Sequence, residues 1–185
     1  MASWVEFANT ALQQIGEEVI TSLTDDSDRA RAVNRIYQSE LRTELRLHPW
    51  NCARKRVQLA TLTTAPTFGP AYQFQLPSDF VRLLPDAEVT DWQIEGRKLL
   101  SDDGGPLDVV YIYEITDPNE LDPLLVEAYV ARLAMKLCER LTMSSGKREL
   151  AVRDYTEAVK QARKVNAFES ISATPPEDPW VTARL

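Results

Sequence analysis

One histidine and two cysteines are all that 185 residues offer of the two most versatile catalytic and metal-binding side chains. His48 standing alone excludes any site built on two imidazoles, and it is the sole histidine base available to a nucleophilic triad. Cys52 and Cys138 lie far apart and neither falls in a C-x-x-C pattern, so redox and zinc-ribbon readings fail on spacing. Both are expected as buried small hydrophobes. No apolar run approaches the roughly 18 residues that cross a bilayer. The opening Met1-Ala2-Ser3-Trp4-Val5-Glu6 has neither the basic nor the apolar part of a signal peptide, and folding in a cytosol is expected. Basic residues are scarce in the middle of the chain: positions 61–120 hold 3 against 11 acidic ones, within a net charge of −7. Such a segment repels nucleic-acid phosphate, which argues against sequence reading through it.

What is present is an ordinary globular composition, 44% hydrophobic and 26% charged. A chain of this length makes one domain, or one with a small insert, and buries about 70% of its unfolded surface. Before residue 58 the apolar spacing is helical. Trp4, Phe7, Ala8, Ala11, Leu12 and Ile15 recur at threes and fours, and Gly16 follows where a left-handed cap belongs. Thr24-Asp25-Asp26-Ser27-Asp28 offers caps for a second helix reaching about Leu47, with Pro49 as its stop and Ala30, Val33, Tyr37, Leu41 and Leu45 as its core face.

Arg31, Arg35, Arg42 and Arg46 fall within an arc of about 60° on that helix. This stripe reads either as a solvated face with local ion pairs or as a docking surface for another subunit. Glu40 and Glu44 share a different face, where like charges four apart repel. They require cations from another element.

From 57 to 117 the pattern becomes that of short strands, at 57–62, 71–75, 91–95, 97–100 and 107–115. Turn chemistry separates them at Pro66, Phe68-Gly69-Pro70, Gly96 and Asp102-Asp103-Gly104-Gly105. A small antiparallel meander is expected, with the aspartate pair in a hairpin turn. Along the last strand Val109, Tyr111 and Tyr113 alternate with Val110, Ile112 and Glu114, giving one aromatic and one largely aliphatic face. Asp122-Pro123 opens a third helix over 124–141, apolar on nearly every side, which must be covered by its own domain or by neighbouring copies. After Ser144-Ser145-Gly146 a last helix over 147–168 keeps a thin seam of Ala151, Tyr155, Ala158, Ala162 and Val165. Beyond residue 170, Pro175-Pro176-Glu177-Asp178-Pro179-Trp180 cannot be helical, and an extended tail is expected.

Candidate motifs for chemistry fail on their partners. Ser145-Gly146-Lys147 lacks the earlier glycine and the following Ser or Thr of a phosphate loop. Asp26-Ser27-Asp28 lacks the later ligands of a calcium loop and reads as helix capping. Asp102 and Asp103 have no implied cleft in which to act as an acid and base pair. His48-Pro49-Trp50-Asn51 has no serine or cysteine nucleophile identifiable with it and reads as a helix stop with a core indole. No catalytic residue, metal ligand or cofactor site is expected.

In order along the chain stand Ala11-Leu12-Gln13-Gln14-Ile15-Gly16-Glu17-Glu18-Val19-Ile20-Thr21-Ser22-Leu23, Asp26-Ser27-Asp28 with Ala30, Tyr37, Leu45-Arg46-Leu47-His48-Pro49-Trp50-Asn51-Cys52-Ala53-Arg54-Lys55-Arg56, Leu59-Ala60, and Tyr72-Gln73-Phe74-Gln75-Leu76-Pro77-Ser78-Asp79-Phe80-Val81-Arg82. Together these resemble the tail tubular protein A family, the head-to-tail adaptors of short-tailed bacteriophages. The resemblance covers the first ninety or so residues in ordered strings and the remainder by its pattern of helices. It implies a noncatalytic virion protein of the neck, assembled in the host bacterial cytoplasm as a homo-oligomeric ring, typically twelve-fold. Its partners would be the portal protein above and the tail nozzle protein below, with DNA passing through the channel unread and no membrane involved.

The expected fold is α+β. A discontinuous helical bundle of about four helices, residues 1–57 and 119–169, carries an inserted small antiparallel β domain, 58–118, and an extended C-terminal docking tail, 170–185. Portal or subunit contact is expected at Arg31, Arg35, Arg42, Arg46 and Trp180. Trp50, Leu76, Pro77 and Asp79 are expected to hold the helix-to-sheet junction. The readings from other classes are a small tail-associated cell-wall hydrolase using two carboxylates, and a DNA-binding module using the arginine stripe, against which the net acidity counts.

Overall fold

The Ser3 hydroxyl accepts from the Glu6 amide and starts the first helix, α1, Trp4–Gln14. At its end the Gly16 amide donates to the Gln13 carbonyl and the Glu17 amide to that of Leu12, with Gly16 at φ +76. This paired closure needs a left-handed residue, the reason for glycine there. The computed structural model describes residues 2–85 and 91–169. The connector that follows α1 is held by Asn9, whose side-chain amide exchanges two hydrogen bonds with the main chain of Ile20. Ser27 then caps α2, Asp28–Leu47, through the Ala30 amide, as the capping chemistry requires.

A short 3-10 turn, Asn51–Ala53, leads into the strands, six among the described residues: β1 Arg54–Leu59, β2 Tyr72–Gln75, β3 Phe80–Leu83, β4 Trp92–Glu95, β5 Lys98–Ser101 and β6 Leu107–Tyr113. They form two antiparallel three-stranded sheets, ordered β1-β6-β3 and β2-β5-β4. The single meander expected from the sequence is therefore corrected. Only the β4–β5 hairpin, turned at Gly96 and Arg97, joins neighbours in sequence, and β3 was not anticipated. β1 begins at Arg54, earlier than the apolar pattern suggested, because pairing with β6 fixes the strand where Arg54, Lys55 and Arg56 break that pattern.

The Asp102-Asp103-Gly104-Gly105 segment is not a hairpin either. It carries the chain from β5 in one sheet to β6 in the other, and Asp102 accepts from the Ala71 amide. A Cβ at Gly105 would run into Thr61 Oγ1 and the Phe74 ring, so that crossing requires glycine.

The sheet ordered β1-β6-β3 is covered on both sides. Val110 and Ile112 of β6 join Val81, Leu84, Leu45, Trp50 and Leu133 in a helix-side core. Leu107, Val109 and Tyr111 face a second core with Leu59, Phe74, Leu76 and Leu99 from the outer sheet. The aromatic and aliphatic alternation read from the sequence is the imprint of these two environments.

Asp122 caps α3, Pro123–Thr142, with Pro123 in the first turn. Ser144 caps α4, Ser145–Phe168, which starts two residues earlier than expected. α1, α2 and α4 all pack on α3, burying Leu125, Ala128, Tyr129, Leu133, Leu137 and Cys138. Its apolar circumference is thus satisfied within one chain, which removes the need for neighbouring copies to cover it. Along α4, Ala151 and Ala162 are buried, while Val165 is exposed, contrary to its place in the expected seam. Cys138 is buried as expected, but Cys52 is only half-buried. The expected tail, 170–185, with Trp180, lies outside the described residues.

Trp50 is fully buried and its indole N–H donates to the Glu44 carbonyl. Trp50→Ala is expected to lower the unfolding free energy by about 3–5 kcal/mol in urea titrations. Phe68→Ala, at a side chain 89% exposed, is expected to change it by less than about 0.5 kcal/mol.

Candidate functional site

Three features stand out: a junction, a buried ion cluster and a basic groove. The junction is built on His48-Pro49-Trp50-Asn51. Past the end of α2 the chain is extended at His48, as the residue before a proline must be. Three of the four residues then meet one asparagine on α4: the Asn51 amide donates to Asn166 Oδ1 and the Asn51 side chain to the Asn166 carbonyl, both at 2.8 Å, while Asn166 Nδ2 approaches the Pro49 carbonyl. Asn166 Nδ2 lies 3.0 Å from His48 Nε2, and the imidazole packs edge-on against the indole. Burial, then the positive charges of Arg163, Arg82 and Arg54, push the His48 pKa down from 6.5 to about 4. The neutral ring accepts from Asn166. Among the described residues no carboxylate or nucleophile is bonded to it, and the contacts it makes form a clasp between α2 and α4.

Leu76, Pro77 and Asp79 lie where the chain crosses from β2 in the outer sheet to β3 in the shared one. Leu76 is buried in the sheet-side core. The Pro77 carbonyl accepts from Arg97. Asp79 takes Lys55 at 2.7 Å and the Tyr111 hydroxyl at 2.9 Å. Burial works to raise the Asp79 pKa, and these two partners outweigh it, holding the carboxyl below its ordinary value. The Leu76, Pro77 and Asp79 segment therefore links sheet to sheet, and Trp50 links helix to sheet.

The buried cluster answers the demand for cations at Glu40 and Glu44. Arg132 of α3 donates to Glu40 at 2.7 Å and to Glu44 at 3.3 Å, Lys136 approaches Glu40 at 3.7 Å, and Tyr155 of α4 donates to Glu44 at 2.8 Å. Three helices meet at one guanidinium. Its fork geometry suits two carboxylates at once.

The arginine stripe is divided. Arg31 pairs with Asp26 in the capping loop and with Asp28 in the first turn of α2, and Arg35 is exposed. Arg42 reaches Glu114 at 2.7 Å and the Phe80 carbonyl, and Arg46 reaches the Val81 carbonyl, so this half ties α2 to the shared sheet. Beside them opens a groove of about 630 Å³, to which Arg82 and Arg97 contribute two further guanidiniums. Sequence reading missed both, as single cations within an acidic segment, and missed Asn166, whose polar position on α4 resembles solvated surface. Among the described residues no group of His, Cys, Asp and Glu is placed to hold a metal ion, and no helix is long and apolar enough to cross a membrane.

Compared with family models and with curated proteins, the chain matches none.

Arg132→Leu is expected to destabilise by about 3–5 kcal/mol, because Glu40 and Glu44 are left without their shared cation. The triple change to Leu at positions 40, 44 and 132 should recover most of that loss in the same denaturation assay. His48 gives a pH signature. Since its folded pKa is depressed, the unfolded chain binds more protons between pH 6.5 and about 4. Its contribution is complete above pH 6.5 and is lost as pH falls through that window. With one histidine in the chain, His48→Gln should flatten the 5–6.5 part of a stability-versus-pH curve.

Proposed function

We propose that the chain is a noncatalytic structural connector, whose helices and strands contact different larger assemblies. More particularly, we read it as a head-to-tail adaptor of the tail tubular protein A kind, a ring, typically twelve-fold, between the portal and the tail nozzle of a short-tailed bacteriophage. On this reading residues 1–57 and 119–169 form a discontinuous helical domain toward the portal, and 58–118 an inserted β domain toward the nozzle.

The observation that carries the reading is where its ordered strings fall. His48-Pro49-Trp50-Asn51 forms the clasp on α4, and Leu76, Pro77 and Asp79 tie the two sheets together. Strings that fix the relation of helices to sheets are the ones a connector has most reason to carry, since it must hold two binding faces in a set orientation. A second support is charge: the excess of 11 acidic over 3 basic residues in 61–120 suits a channel wall that DNA slides past, with few Lys or Arg to gain from counterion release. The apolar circumference of α3 gives no support to a ring, being covered by its own chain. Ring contacts on this reading are surface contacts between finished protomers. Portal contact falls to the Arg31 and Arg35 end of α2 and to residues 170–185.

Native mass spectrometry of the protein mixed with the portal of the same virus provides the test. A portal ring carrying one adaptor per portal subunit is expected. A protein that stays monomeric beside intact portal rings, and that digests peptidoglycan, would contradict the reading.

A further inference from the structure

Helix α4 rests on the bundle by a thin apolar contact. Among the described residues it buries only two side chains, Ala151 and Ala162, where α3 buries ten. Polar ties hold it along its length. Lys147 Nζ donates to the Ile15 carbonyl at 2.8 Å, the Tyr155 hydroxyl reaches Glu44 at 2.8 Å inside the buried ion cluster, and Asn166 closes the clasp on Asn51. Ile15, Glu44 and Asn51 all lie outside the α3–α4 hairpin, and a second copy of the chain presents them in the same places.

The turn that returns α4 to its own α3 is short and strained. α3 ends at Thr142 and α4 begins at Ser145, so Met143 and Ser144 make the whole reversal. Met143 closes α3 in the left-handed region, φ 51 and ψ 28, with its amide donating to the Glu139 carbonyl. Among the described residues it is the one non-glycine at positive φ. α1 closes through a glycine, Gly16, for which that region carries no steric cost. A methionine there is strained, and only the reversal demands it. Met143 is also 86% exposed, so packing does little to offset the strain. No proline stands between Leu124 and Phe168, so the sequence allows one uninterrupted helix through the turn. Short hinges under strain invite the exchange of an element between identical chains.

We propose that α4 is such an exchangeable element. In the exchanged form α3 and α4 run together through residues 143–146 as one helix, Pro123 to Phe168 and about 69 Å long, and α4 takes the place of its counterpart on a second copy of this chain. The interaction surface is the face of α1, α2 and α3 that α4 covers. Lys147, Tyr155 and Asn166 remake there the bonds they make at home. Release of Met143 at each hinge favours the exchanged dimer and the entropy of association opposes it, so exchange rises with concentration. It belongs to the free chain and holds whether or not the chain serves as a connector.

The full-length protein, held concentrated in reducing buffer at its unfolding midpoint and then cooled, is expected to give a fraction at twice the monomer mass by light scattering. Met143→Gly relieves the hairpin and weakens a continuous helix, and should cut that fraction at least about ten-fold. Ser144→Ala with Gly146→Ala removes the cap that only the hairpin uses and should raise it. A Cβ at Gly146 meets nothing within 4 Å, so the hairpin itself admits the change. Spin labels at Glu127→Cys and Lys160→Cys, with Cys52→Ser, locate the helix. Both positions are exposed and flank the bonded pair Arg132 and Tyr155 at the same level, so the hairpin keeps them within about 20 Å. In one continuous helix they stand about 50 Å apart. With labelled chains diluted into unlabelled ones before warming, the dimer is expected to show the long distance. A dimer that keeps the short distance would be a contact between finished protomers. That result overturns the proposal, as does the absence of any dimer or a dimer fraction indifferent to the hinge changes.

Discussion

Strand β6 is buried on both of its faces, and the rest of the molecule is arranged around that constraint. A strand in such a position cannot alternate apolar with polar residues. It must alternate two kinds of apolar residue, each suited to its own side. Val110 and Ile112 complete the core that α3 organises, while Val109 and Tyr111 complete the core beneath the outer sheet. Removing β6 would open both cores at once, so helices and sheets share one structural fate.

The polar contacts follow the same logic. Arg42 and Arg46 tie α2 to the carbonyls of the β3 edge, Asp79 gathers Lys55 and Tyr111 across the shared sheet, and Asn166 clasps the end of α2 to α4. Each spans an element boundary, and each fixes orientation more than it adds stability, since exposed ion pairs contribute about 0–1 kcal/mol. Arg132 is the buried exception: it gathers carboxylates from α2 and a hydroxyl from α4, and pins three helices in register. For the connector role proposed above, set orientation between a helical face and a sheet face would be the property that matters.

Local chemistry was legible in the sequence; pairing was not. Ser27, Asp122 with Pro123, and Gly16 mark helix boundaries by bonds made within a few residues, and the structure places them there. The demand of Glu40 and Glu44 for a cation was readable from spacing alone, though the identity of Arg132 was not, since it stands about 90 residues away. The division into two sheets depends on long-range partners such as β1 with β6, which no local pattern encodes. β3 was missed because four residues after a proline-bearing turn give too short an alternation. At the candidate sites the stripe on α2 was legible as a helical face. The groove was not, because Arg82 and Arg97 reach it from separate strands and turns.

Native-state hydrogen exchange on the β6 amides tests the shared-core claim most directly. If one strand serves both cores, the amides of Val109, Val110, Tyr111 and Ile112 exchange only by global unfolding, with the same free energy as the buried turns of α3. Exchange of β6 together with β2 and β5 at a free energy several kcal/mol below that of α3 would show the sheets opening on their own, and would contradict the account.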